Sequence, residues 1–365
     1  MSKEYKEELI SEAIELSNVD GISGFESNVA ELIKQKLEGV PNLTFDKDNL
    51  GSLAVYKKGS GGEDAPTISF TAHMDEVGFM ITEITKEGFV KFTAIGGWWG
   101  HVVLGQRLKV LTNSGKEIVG IVGSKAPHLL TAAEAKTVLK IKDLFIDFGA
   151  DSKEQLEKWG ISLGNPVVPY QASAFSTLNP NRIIGKAFDD RISILMGIEL
   201  IRRLEKVDHE ANVYFIASTQ EEVGLRGART SSYKWTPDVA FAVDVTFAYD
   251  TPGMEQKDTK LGTGVALSLF DSSIIANPKL LRYTEQIAKD NDIKYTFDGL
   301  VGGGTDAGII HLTKDGVITM TLSIPSRYMH SHNSMIDLVD LEQTIKLGVE
   351  FVKSFTKDSL KGLKV

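Results

Sequence analysis

Residues 66–76, PTISFTAHMDE, read as a buried strand that runs out into a histidine and two acids. Apolar and β-branched side chains dominate up to Ala72 without a charge, the pattern of a strand covered on both faces. Working outward, the chain after Arg182 alternates helix and strand. A helical pattern is expected over Asp190 to Glu205, strands at NVYFIASTQ (212–220) and DVAFAVDV (238–245), and a helix near Pro278 to Asn291. The strand VITMTLSI (317–324) and a closing helix from Leu341 to Phe355 follow. On the amino-terminal side, Tyr5 to Ser17 and then Val29, Leu32, Ile33 and Leu37 carry apolar residues at helical spacing, and residues 43–59 read as a hairpin turning at Asn49–Gly51. This is α/β texture: a central mixed sheet flanked by helices.

Between Glu76 and Pro169 the pattern changes. Short β-rich runs at 77–84, 89–95, 107–112, 117–123 and 167–169 alternate with glycine-centred turns, interrupted by one acidic helix-like stretch at 152–160. A small β-barrel or sandwich is expected there. The simplest organisation is an α/β domain formed by residues 1–75 and 178–365, interrupted by a β-rich insertion at 76–177.

Ligands of α/β sheets gather at the carboxyl ends of strands, and there this sequence places its donors. FTAHMDE ends in His73 and Asp75, and YFIASTQEE in Glu221 and Glu222. AFAVDVT carries Asp244, and TLSIPSRYMHSH ends in His330 and His332. AFDDR adds Asp189 and Asp190 ahead of a helix. Doubling of acids carries no information, because five adjacent pairs occur where about six or seven are expected by chance. Position carries it: ionised carboxylates at the ends of apolar strands are costly unless a cation compensates. With no cysteine in the chain, any metal must be held by histidine, carboxylate or water. Two histidines and three carboxylates suit a pair of borderline divalent ions such as Zn²⁺ or Co²⁺. A bridging carboxylate would set their spacing at roughly 3.5 Å, and a spare acid nearby could move a proton.

The strings TAHMDEVGFM, KAFDDR, STQEEVGLRGA, AVDVT, GGGTDAG and IPSRYMHSH resemble, in order and spacing, those of the M42 family of dinuclear metalloaminopeptidases, which includes glutamyl aminopeptidases and TET peptidases. The resemblance implies a dinuclear zinc-peptidase fold with an inserted barrel that dimerises, and assembly into a hollow dodecameric tetrahedron. It implies His73 and Asp244 as ligands of one metal, Glu222 and His330 of the other, and Asp189 as the bridge. Glu221 would be the general base and then the acid, and Asp75 would orient the His73 ring. The ligand immediately before a serine is favoured by the family pattern, which selects His330 over His332; spacing alone leaves both open, on one face of a strand. Asp190 is expected to serve backbone geometry. The 302–308 loop, with Gly304 and Asp306, is expected to line the site, with Asp306 contacting the peptide's α-amine.

For specificity, acidic-selective relatives carry an arginine in the region matching residues 260–271, where this chain has Ser268. A preference for neutral or aliphatic first residues is therefore expected, with an acidic-specific aminopeptidase as the alternative. A deacylase or carboxypeptidase would instead use a cation such as Arg327 to seize a carboxylate, and a glycosidase would use Glu221 and Asp244 without metal. Trp98 and Trp99 are expected in barrel core or subunit interface. A net charge of −9 argues against a broad nucleic-acid surface. The opening MSKEYKEELI lacks the apolar core of a signal peptide, no run is long enough to span a bilayer, and the absence of cysteine fits the cytoplasm.

Overall fold

The computed structural model describes residues 2–175 and 178–364. The expected boundary between residues 177 and 178 falls against residues 176 and 177, which lie outside the described residues.

The main sheet runs in the order Leu43–Lys47, Leu53–Lys57, Asn212–Ser218, Thr67–His73, Val239–Phe247, Ile318–Arg327, Ser334–Asp337, Arg182–Gly185, Ala174–Phe175. Val265–Ser268 and Tyr295–Asp298 extend it from the side of Ile318–Arg327. Its four middle strands are parallel and its margins antiparallel, so the sheet is mixed. The middle strands read as nearly unbroken buried runs because helices cover both faces.

The helix Phe188–Arg203 crosses beneath them. Its Ile192, Leu195, Met196 and Leu200 are fully buried, and it lies so close that a Cβ at Gly197 would meet the Phe215 ring at 2.1 Å. Stacked Phe70 and Phe241 (5.1 Å) and the edge of Phe351 complete this core. Helix starts follow local capping chemistry. Asn277 accepts from the amides of Lys279 and Leu280 ahead of Pro278–Asp290. The closing helix begins at Leu338, three residues earlier than its apolar spacing predicts, because the Asp337 carboxylate accepts from the Val339 amide and caps it there.

The insertion closes into a six-stranded barrel ordered Gly78–Ile84, Phe89–Ile95, Phe145–Asp147, Glu117–Gly123, Arg107–Leu111, Pro166–Pro169, the last pairing back to the first. Closure removes free edges, and Phe79, Phe92, Leu108, Val110 and Ile146 fill the interior. Among the described residues no helix is long and apolar enough to cross a membrane.

Candidate active site

Parallel pairing aligns the reactive groups at one rim of the sheet. His73 is in register with Ser218, whose strand leads into Glu221 and Glu222, and Asp244 is in register with Ser323. Asp189 enters from the start of the crossing helix, where the Asp189–Asp190 peptide is cis.

Two donor groups form, and they share Asp189: His73, Asp189 and Asp244 in one, Asp189, Glu222 and His330 in the other. Asp189 Oδ1 lies 3.1 Å from His73 Nε2, while its Oδ2 lies 3.2 Å from His330 Nε2. Asp244 Oδ1 is 4.0 Å from the first ring and Glu222 Oε2 is 3.5 Å from the second. Each ring gives its Nδ1–H to a carbonyl, of Asp75 (2.9 Å) for His73 and of Gly97 (2.8 Å) for His330. A carbonyl only accepts, so Nδ1 carries a hydrogen in both rings and Nε2 is the nitrogen turned to the carboxylates, an N–H in the imidazolium and a free lone pair in the neutral ring. Glu221 Oε2 stands beside them, 3.8 Å from His73 Nε2.

The electrostatics are those of crowded, water-poor carboxylates. Burial raises Glu221 well above its ordinary value, the His73 imidazole opposing and Asp244 adding to the rise. Burial, then the charge of Asp189, pushes Glu222 up to about 8; burial, against His73 and with Asp189, pushes Asp244 up to about 8. Burial would also raise Asp189, but the two imidazoles hold it below the usual carboxylate range. Burial disfavours charge on the rings, yet Glu221 and Asp189 hold His73 well above its ordinary value, and Asp189 and Glu222 push His330 up to about 10. Glu222 Oε1 is buried with no hydrogen-bond partner. So many buried acids gathered around the Nε2 atoms of two imidazoles fit a divalent-cation centre.

The groups open into a cavity of about 1270 Å³ whose walls include Leu225, Val245, Phe247, Leu300, Tyr328, Met329, Trp98 and Trp99. A family profile described as M42 glutamyl aminopeptidase matches residues 51–347. The chain belongs to the M42 family. Among solved structures similar to it is the TET aminopeptidase of a marine sediment Thaumarchaeota archaeon, 38% identical, covering 99% of each chain with a TM-score of 0.93. The TET1 peptidase of Pyrococcus horikoshii, described as assembling into a tetrahedron or a large octahedral shell, is 33% identical over 95% of this chain and 100% of its own, with a TM-score of 0.84. A curated relative, the lysyl aminopeptidase of Pyrococcus furiosus, is 34% identical over 90% of this chain and 92% of its own length.

Within this M42 aminopeptidase several expected residues stand elsewhere. The strand expected to bear His330 and His332 ends at Arg327, so the two do not share a strand face. His330 reaches the acids, whereas His332 is buried against Trp98 (5.3 Å between rings) with both ring nitrogens unpartnered. Asp75 orients His73 through its carbonyl; its carboxylate, 3.5 Å from the ring, accepts instead from Ser23 Oγ (2.6 Å) and from the amides of Glu221 (3.0 Å) and Glu222 (3.2 Å). It thus holds the backbone that carries both glutamates. Asp190 Oδ2 accepts from the His73 amide at 3.1 Å.

Gly304 lines the cavity with Gly302, Gly303 and Thr305, but Asp306 does not: it is buried, accepting from Ser218 Oγ, and burial pushes it up to about 6 against that bond. Ser268 is also absent from the wall, buried on its strand with Oγ 3.5 Å from the Phe270 carbonyl. Trp98 is both barrel core, stacked on Phe79, and cavity wall. Gly97, Phe247 and Tyr328, with Leu225, Val245, Leu300 and Met329, are among the site residues that pattern reading missed. Only the GGWWG run at 96–100 carried a signal, as paired glycines at a strand end.

Proposed function

We propose that this M42 aminopeptidase uses two divalent ions, Zn²⁺ or Co²⁺, to release neutral, apolar first residues from short peptides. The carrying observation is that the two oxygens of Asp189 face different imidazoles, each beside a further carboxylate. His73, Asp189 and Asp244 would hold one ion, and Asp189, Glu222 and His330 the other. Bound there, the ions would supply Lewis acidity to the scissile carbonyl and make the attacking water acidic near neutral pH.

The chain's own groups do the rest. Glu221, raised by burial, accepts a proton at its carboxylate from the attacking water and delivers it to the departing amine. Asp75 fixes Glu221 through its amide, which sets the direction of that transfer. Leu225, Val245, Phe247, Leu300 and Met329 form an apolar wall for the first side chain, and no lysine or arginine is among the described residues lining it. An acidic first side chain would be desolvated there without a cation, and a basic one would find only the carboxylates already assigned to the ions and to proton transfer, which disfavours both.

Arg327, the cation a carboxypeptidase or deacylase would need, is held by Asp250 in a two-point ion pair (2.7 and 2.6 Å). That favours recognition of a free amine over a free carboxylate. We also infer that the barrel dimerises, as the family resemblance implies, and that the dimers assemble into a dodecamer, the form described for a Pyrococcus horikoshii TET1 structure; light scattering would test it, a stable monomer at working concentration overturning the inference.

The function is tested with a panel of aminoacyl-p-nitroanilides, with and without chelator. Release should be fastest for leucyl or alanyl substrates, stop with chelator and return on adding Co²⁺ or Zn²⁺. Fastest release of glutamyl or lysyl substrates would sink the specificity. Cleavage of amino-blocked substrates in preference to free ones would replace the aminopeptidase with the deacylase reading.

A further inference from the structure

The ring of His330 is held by the barrel and not by the sheet that precedes it. Its strand ends at Arg327, and His330 itself sits in the left-handed region at φ 56°. Gly97, whose carbonyl takes the Nδ1–H, belongs to the turn after the barrel strand Phe89–Ile95. The approach of that turn depends on two residues without side chains. Gly96 has φ 80°, and a Cβ there would meet Val77 Cγ1 at 2.7 Å and Glu222 Cβ at 3.3 Å. A Cβ on Gly97 would meet His330 Nδ1 at 2.9 Å and Cε1 at 3.2 Å, and nothing else within 4 Å. Gly97 has no positive φ, so alanine fits its backbone and only the His330 ring stands in the way. Next along the chain, Trp98 stacks on Phe79 inside the barrel at 4.6 Å and 28°. Contacts therefore run unbroken from the barrel core to the imidazole.

We propose that the Gly96–Gly97–Trp98 turn is a positioning element through which the barrel fixes the tautomer and direction of His330. Trp98 anchors the turn, Gly97 supplies the carbonyl, and the bare Cα of Gly97 leaves room for the ring. The inference rests on the reading of His330 as a metal ligand, and it gives the inserted barrel a task at the reaction centre besides any in assembly.

The test titrates metal-free, full-length protein with Co²⁺, read by calorimetry and by the visible absorption of the bound ion. Wild type should show two sites. Gly97→Ala should keep one and weaken the other by at least about tenfold, with loss of that site's absorption, as expected when the outer partner of a ligating histidine is disturbed. His330→Ala should match it, and the double variant should be no worse than His330→Ala alone, since the ring that the new methyl strikes is gone. If Gly97→Ala fails to fold, the double variant should fold; failure of both would mean that Gly97 matters for another reason and overturns the proposal. So would Gly97→Ala binding both ions with an unchanged spectrum. Wild type without a second Co²⁺ site would overturn the metal reading itself, and this inference with it.

Discussion

The half of the centre around His73 is built into the sheet, whereas the half around His330 is assembled from segments far apart in the chain. His73 is the last residue of a central strand, 2% exposed, and its ring is oriented by a carbonyl two residues on. His330 hangs in a loop with its side chain 37% exposed, and its orienting carbonyl is 233 residues away in the barrel. The donor chemistry is the same in both. What differs is how many independent parts must be in place before the imidazole points correctly. A strand end fixes a side chain through the register of its neighbours, while a loop needs an outside contact.

Glu221→Gln bears on both halves at once and should have the largest effect. Turnover should fall by about a thousandfold or more with metal content unchanged, since amide replaces the proton carrier and leaves the donors intact. Near-normal kcat in this variant would falsify the role. Next, His73→Ala and His330→Ala should separate the halves. Removing His73 leaves Asp244 buried without an imidazole and Asp189 with His330 alone, a loss of roughly 3 kcal/mol in the metal-free fold. Removing the half-exposed His330 should lower the melting temperature less while abolishing one ion. Equal melting temperatures would contradict the difference between the two halves.

The pH dependence of the metal-free protein is a smaller effect. His330, raised to about 10, contributes stability in full below its ordinary value and loses it as pH rises through about 10. Glu222 and Asp244, raised to about 8, prefer to be neutral in the fold, so ionising them as pH climbs also costs stability. Both act in one direction, the carboxyls between about pH 4 and 8 and the ring between about pH 6.5 and 10, so the melting temperature should fall across that whole range. Added metal should flatten the curve by taking the place of those protons; a metal-free profile that rises over this window would contradict the geometry. Smallest of all is His332→Phe. Both ring nitrogens of His332 are buried without partners beside Trp98, so an apolar ring should change stability by less than about 1 kcal/mol and leave both ions bound. Loss of an ion in this variant would mean that His332 serves the centre after all.

Much of this was legible along the chain. Thr67–His73, Asn212–Ser218 and Val239–Phe247 announce themselves as apolar runs, and their donors follow at the ends because parallel strands deliver their carboxyl ends to one rim. The barrel was readable as short strands and glycine turns, though its closure was not, since closure is a pairing between Gly78–Ile84 and Pro166–Pro169 that no local pattern records. Asp306 and Ser268 stand off the cavity wall for a related reason. A motif says that residues are near a site, but a helix start that buries Asp306 under Ser218, or a strand that turns Ser268 from the cavity, depends on packing.

The sequence by itself determined the candidate donors at the strand ends, the order of helix and strand, and the family to which the chain belongs, because hydrophobic periodicity and strand-end donors are properties of neighbouring residues. Only the tertiary structure decided that Asp189 turns one oxygen to each imidazole, that His332 packs against Trp98 with neither ring nitrogen partnered, and that a barrel glycine holds the second ring. Those are distances between segments remote in the chain, set by the joint packing of sheet, crossing helix and barrel.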